Sequence, residues 1–136
     1  MEKDYGPAID LWSIGCITGE LFSMIKENAP TFLDRKPLFT GNQCFPLSPG
    51  QSAEKNQDGL PIDPNDQLAK IFSLIGTPSE EDKSFVTDEL ALKYLNVYTY
   101  QPRVDLQSKY PGTEANAIDF IDRLLVFNPF FRMTLE

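Results

Sequence analysis

A chain of 136 residues with 41% hydrophobic and 12% aromatic residues, ten of them Phe, is long enough to bury one core and too apolar to stay disordered. Twelve basic against twenty acidic residues leave a net charge of −8, which repels phosphate backbones and anionic bilayers and argues against nucleic acid or membrane as a partner. No His, and only two Cys without ligand spacing, remove imidazole bases, Ser-His and Cys-His pairs and His-containing metal sites, so any chemistry would fall to carboxylates or Lys.

The N-terminus, Met1-Glu2-Lys3-Asp4-Tyr5, carries no apolar run with a small-residue cleavage site, so cytoplasm, nucleus or both is the expected location. Cys16, in an apolar stretch, and Cys44, in a Pro-rich one, suit a reducing compartment. From Ala8 to Ile25 the chain is apolar on nearly every side, with Pro7 where a helix start tolerates a missing N–H. This predicts a helix buried all round. Asp10 and Glu20, with the Ser, Thr and Gly residues among them, argue against a membrane span.

Between Lys26 and Asp63 the pattern dissolves into Pro, Gly, Asn, Gln and Ser, and the stretch Gln51–Gly59 has no large apolar residue. It reads as a long solvated loop, pinned at Leu38-Phe39 and at Phe45-Pro46-Leu47. Helical period returns at Leu68, Ile71, Phe72 and Ile75, with Asp63-Pro64 as cap and first-turn proline and Gly76 as the stop. Thr77-Pro78-Ser79-Glu80 then reads as a capping box that starts another helix at Thr77. One or two short helices are expected within Phe85–Tyr100, and extended chain from Gln101 to the Pro111-Gly112 turn. A last helix carries Ile118, Phe120, Ile121, Leu124, Leu125 and Phe127 up to Asn128-Pro129, and Thr134 resembles the N-cap of a further one. No strand period and no internal repeat appear, so the predicted architecture is all-α.

Four segments, in order, carry a family resemblance. Tyr5-Gly-Pro-Ala-Ile-Asp-Leu-Trp-Ser-Ile-Gly-Cys-Ile17 resembles the start of the large buried helix of the protein kinase C-lobe, with its D-x-W-S-x-G-C pattern. Pro37-Leu-Phe-Thr-Gly41, Asp66-Gln-Leu-Ala-Lys-Ile-Phe-Ser-Leu-Ile-Gly-Thr-Pro78 and Leu124-Leu-Val-Phe-Asn-Pro-Phe-Phe-Arg132 follow as they do in that lobe. The Gln-Leu…Ile-Gly-Thr-Pro stretch, the region from Leu92-Lys-Tyr-Leu95 through Tyr110-Pro111 and the Val-Phe-Asn-Pro ending are most similar to mitogen-activated protein kinases, with cyclin-dependent kinases second. The resemblance implies that residues 1–136 are part of a kinase domain, the helical C-lobe after the activation segment and therefore incomplete, with a long loop insertion at about 26–63. Met24 to Pro64 is longer than that family usually has.

The resemblance singles out four structural positions. A carboxylate on an apolar helix is costly unless specific donors satisfy it, and Asp10 matches the family Asp that accepts from catalytic-loop amides; a local helix N-cap is the plain alternative. Arg132 matches the Arg that pairs with the Glu of A-P-E, which this sequence does not contain, so a guanidinium left in water or unpaired is expected. Trp12 reads as core and Gly15 as a site of close helix packing. Ser48-Pro49 and Thr77-Pro78 resemble proline-directed phosphorylation sites, although Thr77 is better explained as a cap.

The family's Gly-rich loop, V-A-I-K lysine, H-R-D catalytic loop, D-F-G and A-P-E motifs are all absent from this sequence. The chain is therefore expected to hold no catalytic, cofactor-binding or metal residue, with ATP and Mg belonging to the complete family domain. Protein substrates and an upstream kinase are likewise implied only for that complete Ser/Thr kinase. An inactive segment of such a kinase is the first expectation, and a non-catalytic kinase-like module that binds regulators or substrates is the second.

Overall fold

The computed structural model of the chain describes residues 6–48 and 54–135. In chain order they form α1 (Ala8–Phe22), β1 (Glu54–Lys55), β2 (Pro61–Ile62), α2 (Gln67–Ile75), α3 (Glu89–Leu95), α4 (Leu106–Lys109) and α5 (Ala115–Leu124), with a 3-10 turn at Phe32–Asp34. The architecture is helical with little strand. The described residues divide into two compact units, one within residues 39–103 and one combining residues 6–38 with residues 104–135.

In the second unit α1 packs on α5. The buried residues of α1 are Leu11, Gly15 and Gly19, an i, i+4, i+8 stripe, and those of α5 are Ile118, Ile121 and Leu124. A helix buried all round is not what forms. Ile14 is 42% exposed, and Ile17 and Leu21 are each 59% exposed, because only the glycine face lies against α5. α1 also stops at Phe22, short of Ile25; Met24 and Ile25 bond three residues back instead of four, tightening the chain out of the helix. α5 ends at Leu124, where Leu125 leaves helical geometry. Asn128 then organises a separate turn, its side-chain oxygen accepting from Phe130 N–H at 2.9 Å.

The stretch expected to be extended up to Gly112 contains α4. Asp105 caps it, accepting from the N–H groups of Gln107 and Ser108 and from the Ser108 hydroxyl, which holds its carboxyl below the usual carboxylate range. Leu106 and Tyr110 are thereby buried, with Tyr110 edge-on to Phe22 at 5.5 Å. The side chain of Asn28 joins the exit of α1 to the Pro111-Gly112 turn. Its amide donates to Phe22 O (2.9 Å) and Thr113 Oγ1 (2.7 Å), and its oxygen accepts from Gly112 N–H (2.7 Å).

In the first unit the cap of α2 is Asp66, which accepts from Leu68 N–H at 2.9 Å, and not Asp63-Pro64. Asp63 accepts from Asn65 N–H instead, turning the chain towards the helix. Gly76 ends α2 at φ 83°, where a Cβ would meet Arg103 N at 2.8 Å. The helix expected to start at Thr77 does not form. Thr77 Oγ1 donates to Thr99 O (3.0 Å) and accepts from Gln101 N–H (2.9 Å), while a single turn is capped two residues later by the mutual Ser79–Asp82 bonds. Lys83, 7% exposed, closes that turn on Glu80 and Asn96. One helix, α3, capped by Asp88, occupies the stretch expected to hold one or two.

The loop read as free of strand carries a short antiparallel hairpin of β1 and β2. Asn56 builds its turn by accepting from the N–H groups of Asp58 and Leu60, Gly59 supplies φ 76°, and Leu60 is buried. Of the stretch Gln51–Gly59, residues 51–53 lie outside the described residues, as does Pro49 of the Ser48-Pro49 pair. Leu38 meets Gly19 within its own unit, and Phe45 stacks on Tyr94, but Leu47 is 76% exposed and pins nothing.

Candidate functional site

Three of the four singled-out positions gather where α1 meets the end of the chain. Arg132 is 8% exposed, so it is neither left in water nor without partners. Its Nε and Nη2 donate to Val126 O at 3.1 and 2.7 Å, Nη2 also reaches Phe127 O, and Nη1 donates to Ala8 O. The guanidinium lies 5.1 Å above the half-buried Trp12 ring, a cation–π stack. Burial lowers the Arg132 pKa, and carbonyl dipoles plus the indole face supply negative potential beside the guanidinium. Beside it, burial raises the Cys16 thiol while the Arg132 charge opposes that rise.

Gly15 faces α5 so closely that an added Cβ would lie 2.9 Å from Leu125 Cδ2 and 3.0 Å from Leu124 Cβ. Asp10, by contrast, is exposed in the first turn of α1, three residues inside the Pro7 cap. It is therefore not the N-cap, and its carboxylate sits where the helix N-terminus favours negative charge. Asp10→Asn should change stability by less than about 1 kcal/mol, the scale of an ordinary surface substitution. Urea unfolding followed by Trp12 fluorescence measures this, and a loss several times larger would show a buried role for the carboxylate.

The other polar cluster lies in the first unit and was missed in the sequence. Asp66 is 3% exposed; besides capping α2 it accepts from Phe45 N–H at 2.9 Å and lies 3.2 Å from Tyr98 Oη. Tyr98 Oη is also 2.9 Å from Tyr94 Oη. Burial raises both phenols, Tyr94 to about 12, so they stay neutral donors beside the carboxylate. The one local signal was Asp66 two residues before Leu68; nothing in the sequence linked it to Phe45, 21 positions earlier.

Among the described residues no group of three or more His, Cys, Asp or Glu is placed to hold a metal ion, and no helix is long and apolar enough to cross a membrane. No family model matches the chain. Curated relatives do. Mitogen-activated protein kinase 4 of rice is 33% identical over 132 residues, 97% of this chain. Mitogen-activated protein kinase 2 of Arabidopsis thaliana is 30% identical over the same share, and Extracellular signal-regulated kinase 1 of Dictyostelium discoideum is 33% identical. This chain is a mitogen-activated-protein-kinase-like kinase segment. It spans 27% of the length of the rice protein and 19% of the Dictyostelium one. The helical architecture agrees with the C-terminal helical lobe that the ordered motifs imply.

Proposed function

We propose that this chain supplies the helical scaffold of a mitogen-activated protein kinase-type Ser/Thr kinase, whose complete form transfers the γ-phosphate of ATP to protein Ser/Thr, and that the chain alone is inactive. The reading is carried by similarity along nearly the whole chain combined with a sequence that lacks every nucleotide-contacting motif of the family. Phosphoryl transfer needs a Lys and metal-bound carboxylates converging on the phosphates. The buried charges among the described residues, Arg132, Lys83 and Asp66, are each engaged in holding turns and helix ends, which supports the reading that this chain alone provides no Mg–ATP site. The outward apolar face of α1, with Ile14, Ile17 and Leu21, is the kind of surface a larger domain covers. Protein substrates and an upstream activating kinase belong to that larger domain under the same proposal.

The test is thermal unfolding with and without millimolar Mg–ATP, together with a phosphotransfer assay on a generic Ser/Thr protein substrate. No shift and no transfer are expected. Nucleotide at a thousand times its dissociation constant would stabilise the chain by about 4 kcal/mol, so a Mg-dependent rise in Tm would overturn the reading.

A further inference from the structure

α1 carries a second apolar row, on the side away from Leu11, Gly15 and Gly19. Ile14, Ile17 and Leu21 are exposed along it, and Met24, also exposed, continues it in the tightened turn beyond the helix. With Asp10 at its start the row has the spacing 4, 3, 4, 3, which is the seam of a two-helix coil. The polar side chains that flank it are already satisfied. Ser13 Oγ donates to Ile9 O at 3.2 Å and Thr18 Oγ1 to Ile14 O at 2.8 Å, both within the helix, so covering the row strands no hydroxyl donor.

The charges at the two ends of the row select its occupant. Asp10 is exposed at the N-terminal end and Lys26 is exposed just past Met24 at the other. A parallel copy of α1 would set Asp10 against Asp10 and Lys26 against Lys26, and like charges brought together repel. An antiparallel copy sets Ile14 opposite Met24 and Ile17 opposite Leu21, and brings each Asp10 towards the Lys26 of the other copy. That arrangement is two-fold symmetric, so one surface serves both molecules. We propose that the chain on its own pairs with a second copy of itself through this face, as an antiparallel α1–α1 seam closed at each end by Asp10 and Lys26. The inference goes beyond the scaffold reading. A complete kinase domain covers the row with another of its own elements, and failure of the pairing would leave the expected lack of phosphotransfer untouched.

The experiment is sedimentation velocity of the 136-residue chain over a wide range of concentration. A reversible monomer–dimer equilibrium is expected, and this result needs no variant to fold. Ile17→Ser, a change at an exposed position outside the α1–α5 contact, should leave only monomer. Asp10→Lys and Lys26→Asp should each weaken the dimer at least about fivefold, because like charges then meet at both ends, and the two combined should restore it. That recovery separates a defined antiparallel seam from indiscriminate adhesion of apolar surface. A chain that stays monomeric at the highest concentration overturns the proposal, as does association that grows past two copies. A dimer that survives Ile17→Ser, or one whose strength ignores the single charge reversals or fails to recover in the double one, overturns it equally.

Discussion

Gly15→Leu is expected to destabilise the unit that contains α1 and α5 by about 3 kcal/mol, the upper part of the usual range for overpacking. Even the first added carbon falls 2.9 Å from Leu125 Cδ2 and 3.0 Å from Leu124 Cβ, and both leucines are fully buried. Leu124 belongs to α5 and Leu125 is its cap, so the larger side chain has to push the two helices apart instead of turning aside. Loss of the glycine's conformational freedom returns only about 1 kcal/mol. In Gly15→Ala the same gain meets a smaller clash, and the two should nearly cancel. Trp12, the only tryptophan, lies on α1 and reports this unit directly in urea unfolding. A leucine variant as stable as the alanine one would mean that α1 and α5 do not approach through Gly15.

What could be read from the sequence were features decided within a few residues. The apolar stripe of α2, the Gly76 stop and the ordered kinase-like segments all depend on neighbours along the chain, and they hold. Choices between equivalent local patterns did not resolve. Thr77-Pro-Ser-Glu80 and Ser79-Glu-Glu-Asp82 both look like caps, and the selection of Ser79 follows from Thr77 being bonded to Thr99 and Gln101, 22 and 24 residues away. The all-round apolarity of α1 could not show which face would be covered; a glycine stripe admits α5 on one side only. Arg132 was the harder case, because its partners are main-chain carbonyls that no residue letter encodes. Asp105 and Asn28 belong to the same class: short polar side chains that bond backbone groups and look like ordinary loop residues until the chain is folded.

Asp66→Ala is expected to cost about 3–5 kcal/mol in the unit built on α2 and α3, because one side chain there serves three donors at once. The α2 cap accounts for about 1 kcal/mol. The rest comes from the Phe45 N–H and the Tyr98 hydroxyl, which lose an acceptor in a site where Asp66 itself is 3% exposed. Asp66→Asn separates these contributions. Its carbonyl oxygen can still cap the helix, so most of the 1 kcal/mol cap term should survive. With its carbonyl at the capping position, however, its amide takes the place of Oδ2 and faces the Phe45 N–H, so that bond must be lost. The asparagine variant should therefore fall between the parent and the alanine variant in denaturant unfolding followed by far-ultraviolet circular dichroism. Exchange of the Leu68 amide should stay slow in Asp66→Asn and quicken in Asp66→Ala, while the Phe45 amide should quicken in both variants as its acceptor disappears. If Asp66→Ala lowered stability by no more than the cap alone, water would have to reach the Phe45 and Tyr98 donors, and the carboxylate would be the cap of α2 and nothing more.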